Sequence, residues 1–247
     1  MRRGWLILFL LWAPARLLAA EVQVAVAANF SAPMQKIAAA FEQATGHKAL
    51  LAFGSTGRFY AQVRNGAPFQ VLLAADDETP ARLEREGLAV SGSRFTYATG
   101  RLVLWSATPR LVDAQGEVLR QPGTGKVAIA DPRLAPYGAA AMEVLQALGI
   151  GPALQPRLVQ GESIAQAYQF VTTGNAAMGF VALSQVMADG RIDRGSAWVV
   201  PSTLHGPIRQ DAVLLATGKG NPAAAALMAF LRSDAARAII RAHGYEL

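Results

Sequence analysis

The stretch VQVAVAANFS, residues 22–31, decides the fold. Its first six residues alternate as a buried β-strand does, and residues 33–44 follow with the apolar spacing of a helix that ends just before Gly46. A strand that enters a helix through a short loop is the repeating unit of a parallel α/β sheet. The loop at residues 27–31 is therefore expected at the carboxyl end of the first strand.

The same unit recurs along the chain, with two interruptions. Strand patterns at 48–53 and 69–75 are each followed by a helix pattern, at 57–65 and 79–86. The long extended runs at 94–106 and 205–215 predict a crossing into a second lobe and a return from it. Further patterns predict strands at 126–130, 178–181 and 198–200, and helices at 138–148, 163–172, 221–232 and 234–243. We therefore predict an α/β protein of two lobes joined by two hinge crossings, with lobe I at 21–98 and 206–247 and lobe II at 99–205.

Four short loops each lead into a predicted helix: Ala27-Ala28-Asn29-Phe30-Ser31, Gly54-Ser55-Thr56-Gly57, Ala135-Pro136-Tyr137-Gly138 and Gly161-Glu162-Ser163-Ile164. A helix start presents unpaired backbone N–H groups and the positive end of the helix dipole. Several such starts aimed at one point form an anion site that needs no lysine or arginine. Two loops fall in each lobe, and ligands of open α/β sheets lie beyond the carboxyl ends of strands. The pattern predicts an oxyanion site in the cleft between the lobes.

A simpler interpretation exists for each residue taken alone. Polar side chains that precede helices are often N-caps, which contribute about 1 kcal/mol each, and this applies to Asn29, Ser31, Ser55 and Thr56. Tyr137 could pack its ring and expose its hydroxyl, and Ile164 could donate only its backbone N–H. Of the nearby charges, Arg58 is expected to point to solvent and Glu162 to face away from the cleft.

The N-terminus has the pattern of a secretory signal. Arg2 and Arg3 precede a short apolar run at 5–12, and small residues before Glu21 predict cleavage there, so residues 1–20 form the signal peptide. The run is shorter than the roughly 20 apolar residues that span a bilayer. Removing Arg2, Arg3 and Arg16 leaves 20 Lys and Arg against 17 Asp and Glu, a net charge of +3. The predicted location is the periplasm.

Composition disfavours several other classes of function. The chain contains 0 cysteines, so it forms no disulfide and carries no cysteine-linked lipid. The histidines His47, His205 and His243 lie far apart and lack metal-ligand spacing. The basic residues are spread along the chain without a run, which gives nucleic-acid binding little support. No nucleophile–base motif points to an enzyme.

Taken together, the loops and their flanking residues resemble the periplasmic molybdate-binding proteins of ABC transporters (ModA type). The resemblance covers nearly the whole chain after the signal. It is carried by Val24-Ala-Val-Ala-Ala-Asn29, Gly54-Ser-Thr-Gly57, Gly66-Ala-Pro68, Ala74-Ala-Asp76, Ser93-Arg-Phe-Thr-Tyr97, Asp131-Pro132, Pro136-Tyr-Gly138, Gly174-Asn175, Gly179-Phe-Val181 and Gly244-Tyr245.

The resemblance implies a periplasmic-binding-protein fold of type II with its ligand in the interlobe cleft. It implies a monomer that needs no cofactor, binds molybdate or tungstate through hydroxyl and N–H groups, and delivers the anion to a membrane permease. By position, the ligand-binding residues would be Asn29, the N–H of Ala28, Ser55, Thr56, Tyr137 and the N–H of Ile164. The metal would be bound only as the oxyanion, by these same residues.

The chain departs from one branch of that family at two positions. Asn29 stands where the branch has a serine, and Ala182 stands where it has a ligand tyrosine. A second branch shows a similar asparagine, and the chain fits there. Two alternatives remain at this point: a receptor for another oxyanion such as sulfate or phosphate, and an exported enzyme that acts on an anionic substrate.

Overall fold

The computed structural model describes residues 19–188, 190–192 and 194–247. The predicted signal peptide lies outside the described residues except for its last two positions. Within the described residues, the strands form two five-stranded sheets and a two-stranded ribbon.

The first sheet contains β1 (Glu21–Ala27), β2 (Lys48–Gly54), β3 (Val71–Leu73), β4 (Phe95–Gly100) and, from later in the chain, β12 (Ile208–Leu214). Their order is β2-β1-β3-β12-β4. Strand β1 pairs in parallel with β2 and β3, whereas β12 runs antiparallel to β3 and β4. The carboxyl ends of β1, β2 and β3 therefore meet at one edge of the sheet.

The second sheet contains β5 (Leu102–Ser106), β6 (Val127–Ala130), β7 (Leu158–Gly161), β8 (Met178–Ala182) and β11 (Ser196–Val199), while β9 (Met187–Ala188) and β10 (Arg191–Ile192) form the ribbon. The order of the sheet is β11-β5-β8-β6-β7. Strand β6 pairs in parallel with β7 and β8. This sheet repeats the arrangement of the first, with a parallel half and an antiparallel half.

The helices cover both sheets. Their bounds are α1 (Ser31–Thr45), α2 (Thr56–Arg64), α3 (Glu78–Arg85), α4 (Pro136–Ala147), α5 (Gly151–Leu154), α6 (Ile164–Thr172), α7 (Leu183–Val186), α8 (Pro222–Phe230) and α9 (Asp234–Ala242). Helix α1 buries Met34, Ile37 and Phe41 on one face of the first sheet, where α8 and α9 also pack. Helix α2 buries Phe59 and Val63 on the opposite face. The two-lobed α/β fold predicted from the sequence is confirmed.

The chain crosses between the sheets twice. Strand β4 ends at Gly100 and β5 begins at Leu102, so Arg101 alone separates a strand of the first sheet from a strand of the second. The return runs from the end of β11 into β12, whose Ile208 pairs with Gly100. The exact lobe boundaries at 98/99 and 205/206 stay a proposal, because residues 99 and 100 still pair within the first sheet.

In the part of the chain that the structure describes, no helix combines the length and the apolar character that crossing a bilayer requires.

Candidate anion-binding site

A small buried cavity lies between the two sheets. It is lined by the ends of β1 and β2, by the start of α4 and by the start of α6, through Ala27, Ala28, Asn29, Gly54, Ser55, Thr56, Ala75, Ala135, Pro136, Tyr137 and Ile164. Its volume is about 10 Å³, close to the smallest that admits one water molecule. All six residues predicted to bind the anion line this cavity, so the fold brings together residues that are up to 136 positions apart in the chain. What they bind is a separate question.

Four helical segments begin at the cavity. A short 3-10 turn (Ala28–Phe30) leads into α1, and α2, α4 and α6 begin at Thr56, Pro136 and Ile164. The first N–H groups of a helix have no acceptor within it, and the dipole makes this end positive. Because proline has no N–H, the donors of α4 begin at Tyr137. The cavity is therefore surrounded by backbone donors from both lobes.

The Ser55 side chain is the unusual group in this cavity. Ser55 is only 4% exposed and precedes α2, yet its hydroxyl makes no capping bond to that helix. Among the described residues, its Oγ is the one buried side-chain nitrogen or oxygen without a hydrogen-bond partner. A buried polar atom without a partner costs about 1–3 kcal/mol. Such an atom at a cavity wall needs a partner that the protein does not supply, either a water molecule, for which the cavity has room, or a bound ligand.

The N-cap interpretation of the first two loops is wrong within the described residues. Neither α1 nor α2 is capped by a side chain there. The Ser31 hydroxyl donates back to the Ala28 carbonyl at 2.8 Å, and the Thr56 hydroxyl accepts from the Ala75 N–H at 2.9 Å. The second bond fixes the start of α2 to the segment after β3. By contrast, Ser163 does cap α6 by accepting from the Gln166 N–H, which leaves the N–H of Ile164 at the cavity.

The Asn29 side chain is turned into the protein interior. Its Nδ2 donates to Gln210 Oε1 at 2.8 Å and to the Tyr245 hydroxyl at 2.9 Å. Both N–H groups of the amide are therefore used inside the protein. The cavity is served instead by the backbone of the turn that contains Asn29 and Ala28.

Tyr137 is fully buried rather than exposed at its hydroxyl. The hydroxyl accepts a hydrogen bond from Gln210 Nε2 at 3.1 Å and lies against Gly100. Burial raises the pKa of Tyr137 well above its ordinary value. The phenol is neutral at physiological pH, so it adds no charge to the cavity.

The described residues that line the cavity include no lysine, arginine, aspartate, glutamate or histidine. The nearest charged pair lies at the rim, where Arg58 Nη1 donates to Glu162 Oε2. Both side chains are more than half exposed, and both line a groove that Ser55 also borders. Glu162 does not line the cavity, and its carboxylate instead joins the second lobe to Arg58 of the first.

Sequence reasoning missed the residues behind the cavity. Gln210, Tyr97 and Tyr245 are buried and bonded to one another or to Asn29. No signal in the sequence singles out Gln210, because its neighbours Arg209 and Asp211 in the strand-like run 208–214 are polar as well. Tyr97 and Tyr245 stand out in the sequence only within the segments that carry the family resemblance.

Known proteins match the chain across both sheets and the cavity. A family model for "Bacterial extracellular solute-binding protein" matches residues 22–246. The chain is 60% identical over 229 residues to the molybdate-binding protein ModA of Azotobacter vinelandii, covering 93% of this chain and 91% of that protein. It is 54% identical over 227 residues to the molybdate-binding protein ModA of Rhodobacter capsulatus, covering 92% of this chain and 88% of that protein. A solved structure of an Azotobacter vinelandii periplasmic molybdate-binding protein superposes with a TM-score of 0.89 at 42% identity, covering 92% of this chain and 99% of that chain.

Proposed function

The chain belongs to the bacterial extracellular solute-binding proteins, and we propose that it is a molybdate receptor of an ABC transporter. The observation that carries the proposal is the Ser55 hydroxyl, which is buried without a partner at the wall of an uncharged cavity. Its relatives named as molybdate-binding proteins supply the identity of the anion.

The chemistry of the cavity suits a fully deprotonated oxyanion. Molybdate is a dianion at neutral pH, so its oxygens accept hydrogen bonds and donate none. The proposed donors are the Ser55 hydroxyl and the N–H groups of Ala28, Asn29, Thr56, Tyr137 and Ile164. A hydrogen bond to a charged group contributes about 1.5–3 kcal/mol. After the costs of closure and ordering, several such bonds leave roughly 8–12 kcal/mol, which corresponds to micromolar to nanomolar affinity.

The alternatives fit the cavity less well. Hydrogen phosphate keeps a proton that needs an acceptor, and the described lining offers no carboxylate for it. Sulfate suits the same donors, so discrimination against it rests on the smaller size of the sulfate ion. An enzyme would need a base beside Ser55, and no described lining residue is a histidine, lysine or carboxylate. Binding is therefore a better proposal than catalysis.

The further properties follow from this proposal. The protein binds tungstate as well, because tungstate has the same shape and charge as molybdate. It acts in the periplasm as a monomer and hands the anion to a membrane permease that recognises the closed form. It takes no part in nucleic-acid binding. The metal enters the protein only as the oxyanion, so molybdate is cargo and the protein needs no cofactor.

The experiment is a thermal-unfolding series on residues 21–247 with molybdate, tungstate, sulfate and phosphate in parallel. A ligand present at 100 times its dissociation constant stabilises the folded state by about 2.7 kcal/mol. We expect a large shift in melting temperature with molybdate and tungstate and little or none with the other two anions. A shift with sulfate or phosphate alone would support an anion receptor but contradict molybdate as its ligand. No shift with any of the four anions would contradict the proposal as a whole.

A further inference from the structure

Gln210 lies directly behind the cavity and has a partner for each polar atom of its side chain. It is fully buried on β12. Its Oε1 accepts from Asn29 Nδ2 at 2.8 Å and from the Tyr97 hydroxyl at 3.0 Å, and its Nε2 donates to the Tyr137 hydroxyl at 3.1 Å. Two of these three partners, Asn29 and Tyr137, line the cavity.

The two cavity partners of Gln210 belong to different lobes. Asn29 follows β1 of the first sheet, whereas Tyr137 lies in the first turn of α4, which packs on β6 and β8 of the second. Strand β12 itself carries the chain back from the second lobe. Gln210 therefore lies on a strand of the hinge and hydrogen-bonds to one cavity-lining residue of each lobe, Asn29 of the first and Tyr137 of the second.

The backbone at Gln210 is irregular in a way that places its side chain. The register between β12 and β4 shifts between Gln210 and Asp211, so that Tyr97 is the extra residue on β4. A bulge of this kind re-aims side chains and is common beside functional sites. Here the single hydrogen of the Tyr97 hydroxyl is shared between Gln210 Oε1 at 3.0 Å and the Ala74 carbonyl at 2.9 Å.

A second interlobe bond holds the same loop. The Ser184 hydroxyl, on α7 after β8, donates to the Asn29 carbonyl at 2.8 Å. The Tyr245 hydroxyl donates to the same carbonyl at 2.7 Å. Asn29 is thus held at its amide and at its carbonyl, and the Ser184–Asn29 and Tyr137–Gln210 bonds each join the second lobe to the first.

We propose that Gln210 is a positioning residue that couples closure of the lobes to the anion site, an inference that rests on the proposed function. It does not touch the anion. Through Asn29 it aims the N–H groups of the first loop at the cavity, and through Tyr137 it ties that loop to the second lobe only when the cleft is closed. Loss of this link speeds opening and hence release of the anion.

The test separates release from capture. Gln210→Met keeps the size of the side chain and removes both kinds of hydrogen bond. By stopped-flow fluorescence, we expect the dissociation rate of molybdate to rise about tenfold, while the association rate changes by less than about threefold. Tyr137→Phe removes the other end of the interlobe bond and is expected to have the same effect.

The double variant and two controls make the result specific. Both changes break the Gln210–Tyr137 bond, and Gln210→Met also breaks the bonds to Asn29 and Tyr97, so the double variant should release molybdate no faster than Gln210→Met alone. Gly100→Ala would place a Cβ in steric overlap with the Tyr137 oxygen and 2.5 Å from Gln210 Nε2, so it displaces the bonded pair and should also speed release. Tyr137→Phe, which adds no atom, keeps the test open if Gln210→Met fails to fold. Ser233→Ala removes a side-chain cap at the start of α9, which bonds neither to Gln210 nor to a residue that lines the cavity, and should change the dissociation rate by less than about twofold.

Three results would overturn the inference. The first is a molybdate dissociation rate in Gln210→Met equal to that of the wild type, and the second is such a rate in both Tyr137→Phe and Gly100→Ala. The third is a dissociation rate in the double variant that shows the two single effects adding. A wild-type protein that binds no molybdate at all would instead reject the proposed function, and the inference with it.

Discussion

At the scale of single residues, Ser55 and Ser233 show two uses of a serine before a helix. Ser233 caps α9 by accepting from the Ala236 N–H at 3.3 Å. Ser55 precedes α2 in the same way but keeps its hydroxyl for the cavity. The same residue type at the same helix position therefore supports folding in one case and, by our proposal, ligand binding in the other.

This difference gives a paired prediction. Ser55→Ala should weaken molybdate binding by about 1–3 kcal/mol without lowering the free energy of unfolding of the ligand-free protein. Ser233→Ala should lower that free energy by about 1 kcal/mol and leave the affinity unchanged. Calorimetric titration and chemical denaturation of both variants provide the measurements. Unchanged affinity in Ser55→Ala would remove Ser55 from the site.

The sequence could predict which residues reach the cavity but not which of their atoms are free. The position of a polar residue before a helix follows from local pattern, and Asn29, Ser55 and Tyr137 were found in that way. The partners of Asn29 are Gln210 and Tyr245, which lie 181 and 216 residues away in the chain. Local pattern carries no information about such distant bonds, so the inward orientation of the Asn29 amide could not be predicted.

At the scale of elements, the start of α2 is both a wall of the cavity and a contact between lobes. The Gly57 N–H donates to the Leu134 carbonyl at 2.9 Å. A Cβ at Gly57 would lie 3.0 Å from Leu134 Cα and 3.1 Å from its oxygen. The second glycine of the loop Gly54-Ser55-Thr56-Gly57 therefore lets the backbones of the two lobes approach each other.

From this contact we expect that Gly57→Val weakens molybdate binding at least about tenfold, because the added side chain holds the cleft open. The matched control is Gly151→Ala at the start of α5, where a Cβ meets nothing closer than the Leu145 oxygen at 4.0 Å. Small-angle scattering with saturating molybdate would show the Gly57→Val protein as more extended than the control. Wild-type affinity and compactness in Gly57→Val would contradict this role.

Elements with strong periodicity or a continuous apolar run were predicted well, including the short strands β6 and β8, whereas elements with neither pattern were missed. The spacing of Met34, Ile37 and Phe41 places α1 correctly, although the helix begins at Ser31 rather than residue 33. Strand β7 (Leu158–Gly161) was missed, because its four residues are mostly half-exposed and show no clear alternation. It is fixed by pairing with β6 along its whole length, which is a tertiary effect.

At the scale of the whole molecule, the Arg58–Glu162 ion pair joins the lobes at the rim of the cleft. Exposed pairs contribute at most about 1 kcal/mol, so neutralising either charge should speed molybdate release by no more than about fivefold, and reversing either charge should speed it further because repulsion replaces attraction. Exchanging the two residues should restore the wild-type rate. Arg85 and Glu78 form a comparably exposed pair on α3 alone, and their exchange should have no effect. Equal release from the single Arg58→Glu variant and the wild type would show that the rim pair plays no part in closure.

The uncharged lining of the cavity has a consequence for proton exchange. Burial raises the pKa of Tyr137 well above its ordinary value, and that of Tyr245 behind it to about 12, so both phenols stay protonated in the free and the bound protein. The anion also carries no proton, so binding is expected neither to take up nor to release protons between about pH 6.5 and about pH 9. Titration calorimetry in two buffers with different ionisation enthalpies should give one binding enthalpy, and a difference between them would reveal a titrating group at the site. If the two enthalpies agree, the affinity for the anion is the same in neutral and mildly alkaline surroundings.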